Sequence, residues 1–368
     1  MIGPGMIERY VLRKTLASLG AALAVLGALV MLIAFVDISR NVGTRSEDAG
    51  FGQLLYLTLL QAPATLLTLT PFIFLFGTLG AFVGLNRRSE LIAMRAAGVS
   101  AWRFILPAAF AAFAMGVVTV TLLNPLTAAM SARFETERDA LLAGYLKEAP
   151  KGAWLRQGDT KRQIVIRARM RDSVGGTVRL RGVSFFVYDV QPNDTLIFKE
   201  RYEAAEARLE PGFWRLTGVS VATPGVGAMR TESVTVPSDL DERTAADRFK
   251  NPQAVAFWRL PETIARTEAA GFSATPFKLR LQQILATPLL FAAMSVLAAA
   301  FSLRLMRLGG LAALAGSGVA LGFGFFFFNE LCGALGKADL LGPILAAWTP
   351  PAAALLAGLT LLCYTEDG

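Results

Sequence analysis

The sequence of 368 residues contains no histidine and only two cysteines. Histidine is the commonest general base and a frequent metal ligand, and no carboxylate cluster with ligand spacing takes its place. Cys332 and Cys363 fall at opposite ends of two neighbouring apolar segments. They are about a bilayer thickness apart, which is too far for a disulfide. The sequence therefore predicts no metal site, no cofactor and no disulfide.

Nucleotide-binding and catalytic motifs are missing as well. The chain has no GxxxxGK(S/T), GxGxxG or HExxH pattern, and no GxSxG with a partner base. Gly336-Lys337 lacks the upstream glycine and the following Ser or Thr that a phosphate loop needs. We therefore predict that the chain is not an enzyme. If it transports a substrate against a gradient, the energy comes from a partner or from an ion gradient.

Long apolar segments dominate what is present, because hydrophobic residues make up 54% of the chain and the mean hydropathy is +0.49. A helix needs about 20 apolar residues to cross the hydrocarbon core, where its backbone groups must be satisfied within the segment. Six segments qualify, three on each side of a polar stretch: 16–36, 63–85, 104–124, 281–303, 311–329 and 341–363. The sequence predicts an α-helical membrane protein with six transmembrane helices.

The distribution of basic residues predicts the orientation of these helices. Nine of them flank the segments on one side: Arg9, Arg13, Lys14, Arg87, Arg88, Arg95, Arg103, Arg304 and Arg307. The short loops on the other side contain only Arg40, Arg45 and Lys337. Because cytoplasmic loops carry the excess of Lys and Arg, both termini are predicted to be cytoplasmic and the polar stretch periplasmic. The first segment is full length and lacks a small-residue cleavage site, so we expect an anchor and not a signal peptide.

The net charge of +8 has its source in this asymmetry and in a mildly basic outer domain, so no nucleic-acid partner is expected. The polar stretch has the alternation of β-strands, clearest where Ile164 and Ile166 alternate with Arg167. Strands are predicted over 153–156, 163–170, 178–190, 195–209, 213–222 and 230–236. Short strands at this spacing favour an antiparallel jelly roll or sandwich, followed by a helix over 260–270.

These expectations divide the chain into three parts. Residues 1–124 form transmembrane helices one to three, 125–280 form the periplasmic β jelly-roll domain with its connections, and 281–368 form helices four to six. Between helices two and three, the loop over 86–100 predicts a short surface helix at 89–97. Ser89 is expected to cap it, Glu90 suits its first turn, and Gly98 ends it.

Two interpretations of this surface helix are open from the pattern. It is either a basic anchor lying in the membrane interface or a coupling helix that inserts into a groove on a cytoplasmic ATPase.

Several short motifs, in this order and on this topology, resemble one family over nearly the whole chain. They are Glu8-Arg9-Tyr10, Phe35-Val36-Asp37, Arg88-Ser89-Glu90-Leu91 with Ala97-Gly98, Trp214-Arg215-Leu216, Pro288-Leu289, Gly342-Pro343 and Ala346-Ala347-Trp348. The chain resembles the LptF/LptG family, the permease half of the lipopolysaccharide export ABC transporter of Gram-negative bacteria. The Phe-Val-Asp element and the region of helix six look more like LptG than LptF.

The resemblance implies a permease that extracts lipopolysaccharide from the inner membrane and passes it to a periplasmic bridge toward the outer membrane. It implies three protein partners: a second, LptF-like permease, a dimeric LptB-type ATPase that supplies the energy, and an LptC-type membrane-anchored periplasmic protein. It also implies that helices one and five form the lateral gates and the walls of a lipid cavity.

The resemblance assigns roles to particular residues. The coupling set that faces the ATPase is Arg88, Glu90, Leu91, Met94 and Arg95. Contacts to lipid phosphate fall to Arg40 and Arg45, since Ala34 and Asn41 stand where further lysines are expected. The cavity and gate set is Phe35, Phe323, Phe325, Phe326, Phe327, Phe328 and Glu330.

Physical chemistry is consistent with these roles but leaves simpler readings open. Removing acyl chains from a bilayer costs about 0.8 kcal/mol per methylene, so extraction has to be driven. Phenylalanines in a membrane helix can equally face lipid or neighbouring helices, and Glu330 can simply lie in the interface. Two other functions remain: a permease for lipoprotein release, a class that usually has four spanning helices, and a membrane enzyme that modifies envelope lipids.

Overall fold

The computed structural model describes residues 4–43, 50–142, 153–158, 162–174, 177–191, 196–238, 255–269, 273–305 and 311–366. In these ranges the α-helices are α1 Pro4–Ile38, α2 Phe51–Arg87, α3 Glu90–Ala96, α4 Ala101–Val118, α5 Asn124–Leu142, α6 Leu260–Ala269, α7 Thr275–Leu305, α8 Leu311–Lys337 and α9 Pro343–Glu366. Two π-helical turns, Ser39–Gly43 and Thr119–Leu123, and a 3-10 turn, Phe257–Arg259, join some of them.

Six helical spans in the described ranges are long and apolar enough to cross a membrane, which confirms the predicted number. They are Gly5–Gly43, Phe51–Arg87, Ala101–Arg138, Thr275–Leu303, Gly316–Lys337 and Pro343–Tyr364. Most run past the predicted bounds, because hydropathy marks only the part of a helix that lipid surrounds. The fifth span continues to Lys337, so Cys332 is a buried residue inside α8 and does not follow the helix end.

Successive spans run in opposite directions, which gives the helical bundle two ends. The end that holds the last turn of α1 and the beginning of α2 is also where the chain leaves for the central sheet, and we call it the domain side. The other end holds α3 and both chain termini, and we call it the terminal side.

Helix α7 occupies the centre of the bundle, since 61% of its most apolar window is buried. Apolar helices gain little free energy by associating in lipid, so membrane helices depend on close backbone packing at small residues. A Cβ atom added to Gly116 of α4 would lie 2.4 Å from the Cα atom of Pro288 in α7. One added to Gly358 of α9 would lie 2.9 Å from the backbone nitrogen of Leu297. These two glycines therefore fix α4 and α9 against α7.

On the domain side, the bundle also includes α5, a helix that hydropathy did not indicate. The π-helical turn Thr119–Leu123 joins α4 to α5, and the two continue as one long rod. Phe134 of α5 packs against Ile38 of α1 and Leu54 of α2 in one apolar cluster. The cluster ties the end of α1 to its neighbours beyond the apolar windows of the spans.

The inserted β domain is confirmed. Its described strands are β1 Ala153–Gly158, β2 Arg162–Val174, β3 Thr177–Val190, β4 Leu196–Glu210, β5 Phe213–Thr223 and β6 Val226–Pro237. Each pairs antiparallel with the next in chain order, in one sheet. The connectivity among the described strands is thus up-and-down, without the crossing connections that a jelly roll adds.

One row of paired residues, which runs across the strands of this sheet, interrupts the alternation of buried and exposed residues. On either side of it the buried positions lie three residues apart instead of two, as with Leu180 and Val183 on β3. The row passes through Gly182 and Gly218, whose φ angles of +58° and +64° fall in the region that glycine tolerates best. Glycine kinks and extra residues bend a strand sharply, so the sheet folds along this row.

The bend converts one sheet into two layers that face each other. Phe185 of β3 aligns across β4 with Val221 of β5. In a flat sheet Trp214 would be about seven residues further along β5, roughly 24 Å away at about 3.4 Å per residue. The ring centroids of Phe185 and Trp214 are 5.9 Å apart, edge to face. The sheet therefore closes over its own apolar face, and this gives the domain its core.

Gln157 joins the two outer strands at one end of the folded sheet. This buried β1 side chain accepts hydrogen bonds from Trp214 Nε1 at 3.1 Å and from Ser238 Oγ at 2.8 Å. It donates one to the carbonyl oxygen of Pro237, at the end of β6, at 3.3 Å. A single side chain thus binds three polar groups where the edges β1 and β6 meet.

We predict that Gln157→Leu destabilises the β domain by about 1 to 3 kcal/mol, since it removes the acceptor of the buried Trp214 Nε1 donor. Thermal unfolding and limited proteolysis of the full chain in detergent measure the effect. Gln191→Leu, at an exposed position past the end of β3, is the matched control and should change little. Equal stability of the two variants would contradict this role of Gln157.

Candidate functional site

The surface helix α3 is bounded by two residues in left-handed backbone conformation, Ser89 with φ of +57° and Gly98 with φ of +79°. Gly98 ends the helix as predicted, and its amide donates to the carbonyl oxygen of Arg95 at 2.9 Å. The prediction for Ser89 is wrong in one respect, because its side chain makes no capping hydrogen bond. A capping side chain works from extended backbone, whereas Ser89 makes a sharp turn. The helix is Glu90–Ala96, shorter than the predicted 89–97.

One face of α3 is anchored in the bundle. Leu91 is 2% exposed and packs in a cluster that includes Val11 of α1, Phe82 of α2 and Phe104 of α4. Met94 lies against the edge of the same cluster. Both residues were predicted to face the ATPase. In this chain Leu91 is buried and holds the helix, so it offers no free surface, while Met94 is half-buried and its contact with an ATPase stays a prediction.

The opposite face of α3 is open. Ile92 is 61% exposed, and Ala93 and Ala96 beside it are exposed too. Arg88 precedes them in the exposed turn, while Arg95 is half-buried. Ile92 was missed from the sequence, although its position one residue after Leu91 puts it outside the anchored face. The available surface is a small apolar patch edged by basic residues.

Glu90 lies between these two faces and is half-buried. Its Oε2 atom is buried and makes no hydrogen bond in this chain. A carboxylate oxygen without a donor is costly to bury.

Helices α1 and α8 are the two spans least packed by the rest of the bundle. Only 17% and 22% of their most apolar windows are buried. Both lie against α2 through glycine: Gly77 of α2 against Leu19 of α1, and Gly318 of α8 against Leu79 of α2. Together α1, α2 and α8 form an open apolar wall, and the gate role of α1 and α8 stays a prediction.

The five phenylalanine candidates of α8 divide between the bundle-facing and the exposed side of this wall. Phe323 and Phe327 are 60% and 67% exposed, and Phe328 is exposed to a lesser degree. Phe325 packs into the core, and the ring of Phe326 lies 6.1 Å from that of Phe72. Helical phase explains the division, since Phe323 and Phe327 are four residues apart and share a face.

Phe35 and Glu330 lie elsewhere on the gate helices. The ring of Phe35 contacts that of Phe51 edge to face at 5.6 Å, at the margin of the domain-side cluster. It therefore supports the end of α1, and its place in the gate stays a prediction. Glu330 is exposed on α8, next to the exposed Leu331.

Arg40 lies in the π-helical turn Ser39–Gly43 that ends the first span, and it is exposed. The turn adds a residue to the helical repeat, a feature common at functional sites, while Val42 is buried and anchors it. Arg45 lies outside the described residues. Two cations that the sequence did not suggest, Arg133 and Arg138, reach the domain side on α5, where Arg138 covers the ring of Phe134.

Comparison with known proteins gives one family. A model described as "Lipopolysaccharide export system permease LptF/LptG" matches residues 9–364. Proteins named "Lipopolysaccharide export system permease protein LptG" from Escherichia coli strains K12 and O6:H1 are each 25% identical over 367 residues, covering 97% of this chain and 98% of theirs. The protein of that name from Haemophilus influenzae is 25% identical over 339 residues, or 89% of each chain.

We predict that photo-crosslinkers distinguish the two sides of the aromatic segment. A crosslinker at Phe327 should capture lipid, because the side chain faces away from the bundle. The same group at Phe326, the matched control one residue away, should react mainly within the chain, with α2. Mass spectrometry of the adducts reads the result, and equal lipid capture at both positions would contradict this assignment.

Proposed function

Because the chain belongs to the LptF/LptG family of lipopolysaccharide export system permeases, we propose that it is the LptG-type subunit of the exporter. It is a membrane-spanning transporter permease of the inner membrane and not an enzyme. In this proposal it receives the acyl chains of lipopolysaccharide on the wall of α1, α2 and α8, while a separate ATPase drives extraction.

The observation that carries the proposal is the open apolar wall. A helix that only spans a bilayer can be covered by its neighbours, as α7 is. Two helices on one side of this bundle, α1 and α8, are instead the least buried of the six described spans, and Val25 and Phe327 on them are exposed. A second, LptF-like permease facing this wall would enclose a cavity wide enough for several acyl chains.

The terminal side supports docking of an LptB-type ATPase dimer. Leu91 packs α3 against the bundle, and Ile92 and Ala93 lie on the opposite, exposed face. A short helix with an exposed apolar face of this kind can fit into a groove on a partner protein. Glu90 adds a half-buried carboxylate beside this surface. A basic group of the ATPase that pairs with this carboxylate would fix the position of the helix.

The excess of basic residues on the terminal side supports an orientation with both termini in the cytoplasm. The domain side then lies in the outer leaflet, and the β domain is periplasmic. Arg40 is at the height of the lipid headgroups, where a guanidinium can bind phosphate with two hydrogen bonds. Arg45 is proposed to assist it, and the partner permease to supply further cations.

The β domain is proposed to continue the route away from the membrane. Its two layers face each other over apolar side chains, and Gln157 closes one end. Edge strands of such a sheet can pair with similar domains, so an LptC-type protein could extend it into a bridge. Acyl chains would then travel between the layers while the sugars stay in water.

We predict that Arg40→Glu reduces ATP-dependent release of lipopolysaccharide from proteoliposomes by about tenfold or more, because a charge-assisted phosphate contact is replaced by repulsion. Arg40→Lys keeps the charge but loses the bidentate geometry, so it should be milder. ATP hydrolysis should be largely retained in both. Equal release by wild type and Arg40→Glu would rule out a phosphate contact.

The proposed function is tested most directly at Glu90. The complex with partner permease and ATPase is reconstituted, and ATP-dependent transfer of lipopolysaccharide out of the vesicles is measured. Loss of an interfacial ion pair costs about 2 to 5 kcal/mol, whereas loss of a helix-dipole contact costs about 1 kcal/mol or less. We expect Glu90→Ala to weaken ATPase binding or uncouple hydrolysis from transfer, and Glu90→Lys to be worse.

Ser100→Ala is a control on the same loop, at an exposed position whose side chain makes no capping hydrogen bond. It should bind ATPase and transfer lipid like the wild type. Normal ATPase copurification and normal transfer in Glu90→Lys would return α3 to the role of an interfacial anchor. If the wild-type complex moves phospholipid but not lipopolysaccharide, the proposed substrate is wrong.

A further inference from the structure

The segment that leads from the β domain back to α7 is fixed to the third span by two hydrogen bonds. The backbone N–H of Phe257 donates to Oδ1 of Asn124, the buried first residue of α5, at 3.0 Å. Nε1 of Trp258 donates to the carbonyl oxygen of Thr121, in the π-helical turn, at 3.4 Å. This return segment therefore crosses the third span where its apolar part ends.

Apolar packing holds the same segment against the bundle. Leu260, the first residue of α6, is fully buried in a cluster with Val120 of the π-helical turn and with Phe277 and Ile284 of α7. Phe257 packs at the edge of this cluster. The place of the return segment is thus fixed by α4, α5 and α7, and the direction of the neighbouring Trp258 side chain follows from it.

The ring of Trp258 remains uncovered in the chain. Trp258 is 64% exposed, although its Nε1 donor has a partner. Leu122 and Leu126, four residues apart on the rod of α4 and α5, are exposed as well. A large aromatic ring whose N–H is already bonded has little to gain from water. The surface formed by these three side chains is therefore apolar.

The height of this surface along the spans matches the membrane interface. A helix rises about 1.5 Å per residue, so Thr121 lies roughly 8 Å nearer the bilayer centre than Leu126. Beyond Leu126 the exposed side chains of α5 include the charged Arg133 and Glu137. Tryptophan is enriched at this boundary, where an apolar ring meets the edge of the hydrocarbon. Trp258 lies between the apolar and the charged part of the rod.

The surface lies on the side of α7 that is turned away from the open wall. Phe277 of α7 belongs to the cluster under α6. Leu279, two residues later, lies against α8, since a Cβ atom added to Gly336 would be 3.2 Å from Leu279 Cδ1. Two residues along a helix correspond to a rotation of about 200°. The lipid that Trp258 meets is therefore a phospholipid of the surrounding bilayer.

We propose that Trp258 is a membrane-interface anchor whose ring lies among the glycerol and upper acyl groups of phospholipids in the domain-side leaflet. The exposed Arg259 beside it reaches the level of the lipid phosphates. Because Asn124 and Leu260 join the return segment to α5 and α7, the anchor fixes the height at which the chain re-enters the bundle from the β domain. This role is independent of the lipid that the permease carries.

The test is depth-dependent quenching of tryptophan fluorescence in the full chain, reconstituted in phosphatidylcholine vesicles. Trp258→Phe removes one of the five tryptophans, so the difference from the wild type reports Trp258 alone. We expect phospholipids brominated near the carboxyl end of the acyl chain to quench this emission about twofold or more strongly than phospholipids brominated near the methyl end. Aqueous iodide should quench it weakly.

Two variants in the Trp258→Phe background calibrate the depth. Phe110→Trp, at an exposed position of α4, lies about 16 Å nearer the bilayer centre than Thr121 and should respond most to bromine near the methyl end. Met229→Trp, at an exposed position of β6, should respond to iodide and not to brominated lipid. The proposal is overturned if Trp258 behaves like either of these two variants, or if neither quencher reaches it.

Limited proteolysis tests whether the contact also holds the return segment. Trypsin cleavage after Arg259 in the vesicles requires local opening, and its rate follows the population of the open form. We expect Trp258→Asp to raise this rate about fivefold or more, because a carboxylate is expelled from the interface, while Trp258→Phe stays near the wild type. Mass spectrometry identifies the cut, and equal rates in Trp258→Asp and Trp258→Phe would refute the anchoring role.

Discussion

Close backbone packing around α7 is the constraint on which the rest of the structure depends. Hydrocarbon side chains gain little by leaving hydrocarbon lipid, so a membrane bundle holds together where backbones approach closely. Gly116 and Gly358 let α4 and α9 touch the backbone of α7, and Thr78 of α2 donates a hydrogen bond to Ser295 of α7 at 3.2 Å. Helices with these contacts form the buried core. Helices α1 and α8 also lie against α2 through glycines, but most of their apolar surface is left uncovered.

The spans and strands could be predicted because their signals are local. Apolar length marks a membrane helix whatever surrounds it, and the alternation around Ile164 and Ile166 marks a half-buried strand. The orientation of α3 could not be predicted in the same way. Leu91 and Ile92 are similar side chains one residue apart, and only packing against Val11 decides which of them faces inward. The sequence therefore predicted a surface helix at this site, but it did not predict which side chains of the helix are exposed.

The bend in the sheet shows a second limit of sequence patterns. Buried positions shift by one residue at Gly182 and again at Gly218. Read along the chain, such a shift looks like a weak strand or a strand end. The shift indicates a bend only once the strand pairing is known, because the pairing places Gly182 and Gly218 on either side of Ala205. The contact between Phe185 and Trp214 then follows from the bend, and neither residue alone predicts it.

The open wall also limits where selectivity can arise. Phe323 and Phe327 meet hydrocarbon whether it belongs to a membrane phospholipid or to a bound substrate, and the free energy of contact is nearly the same for both. The wall can hold acyl chains, but it cannot choose among lipids. Discrimination must then come from polar groups at the ends of α1 and α8, which is why the proposed headgroup contact of Arg40 matters. On the terminal side, Leu91 packs against Val11 of α1 and joins the surface helix to the first span.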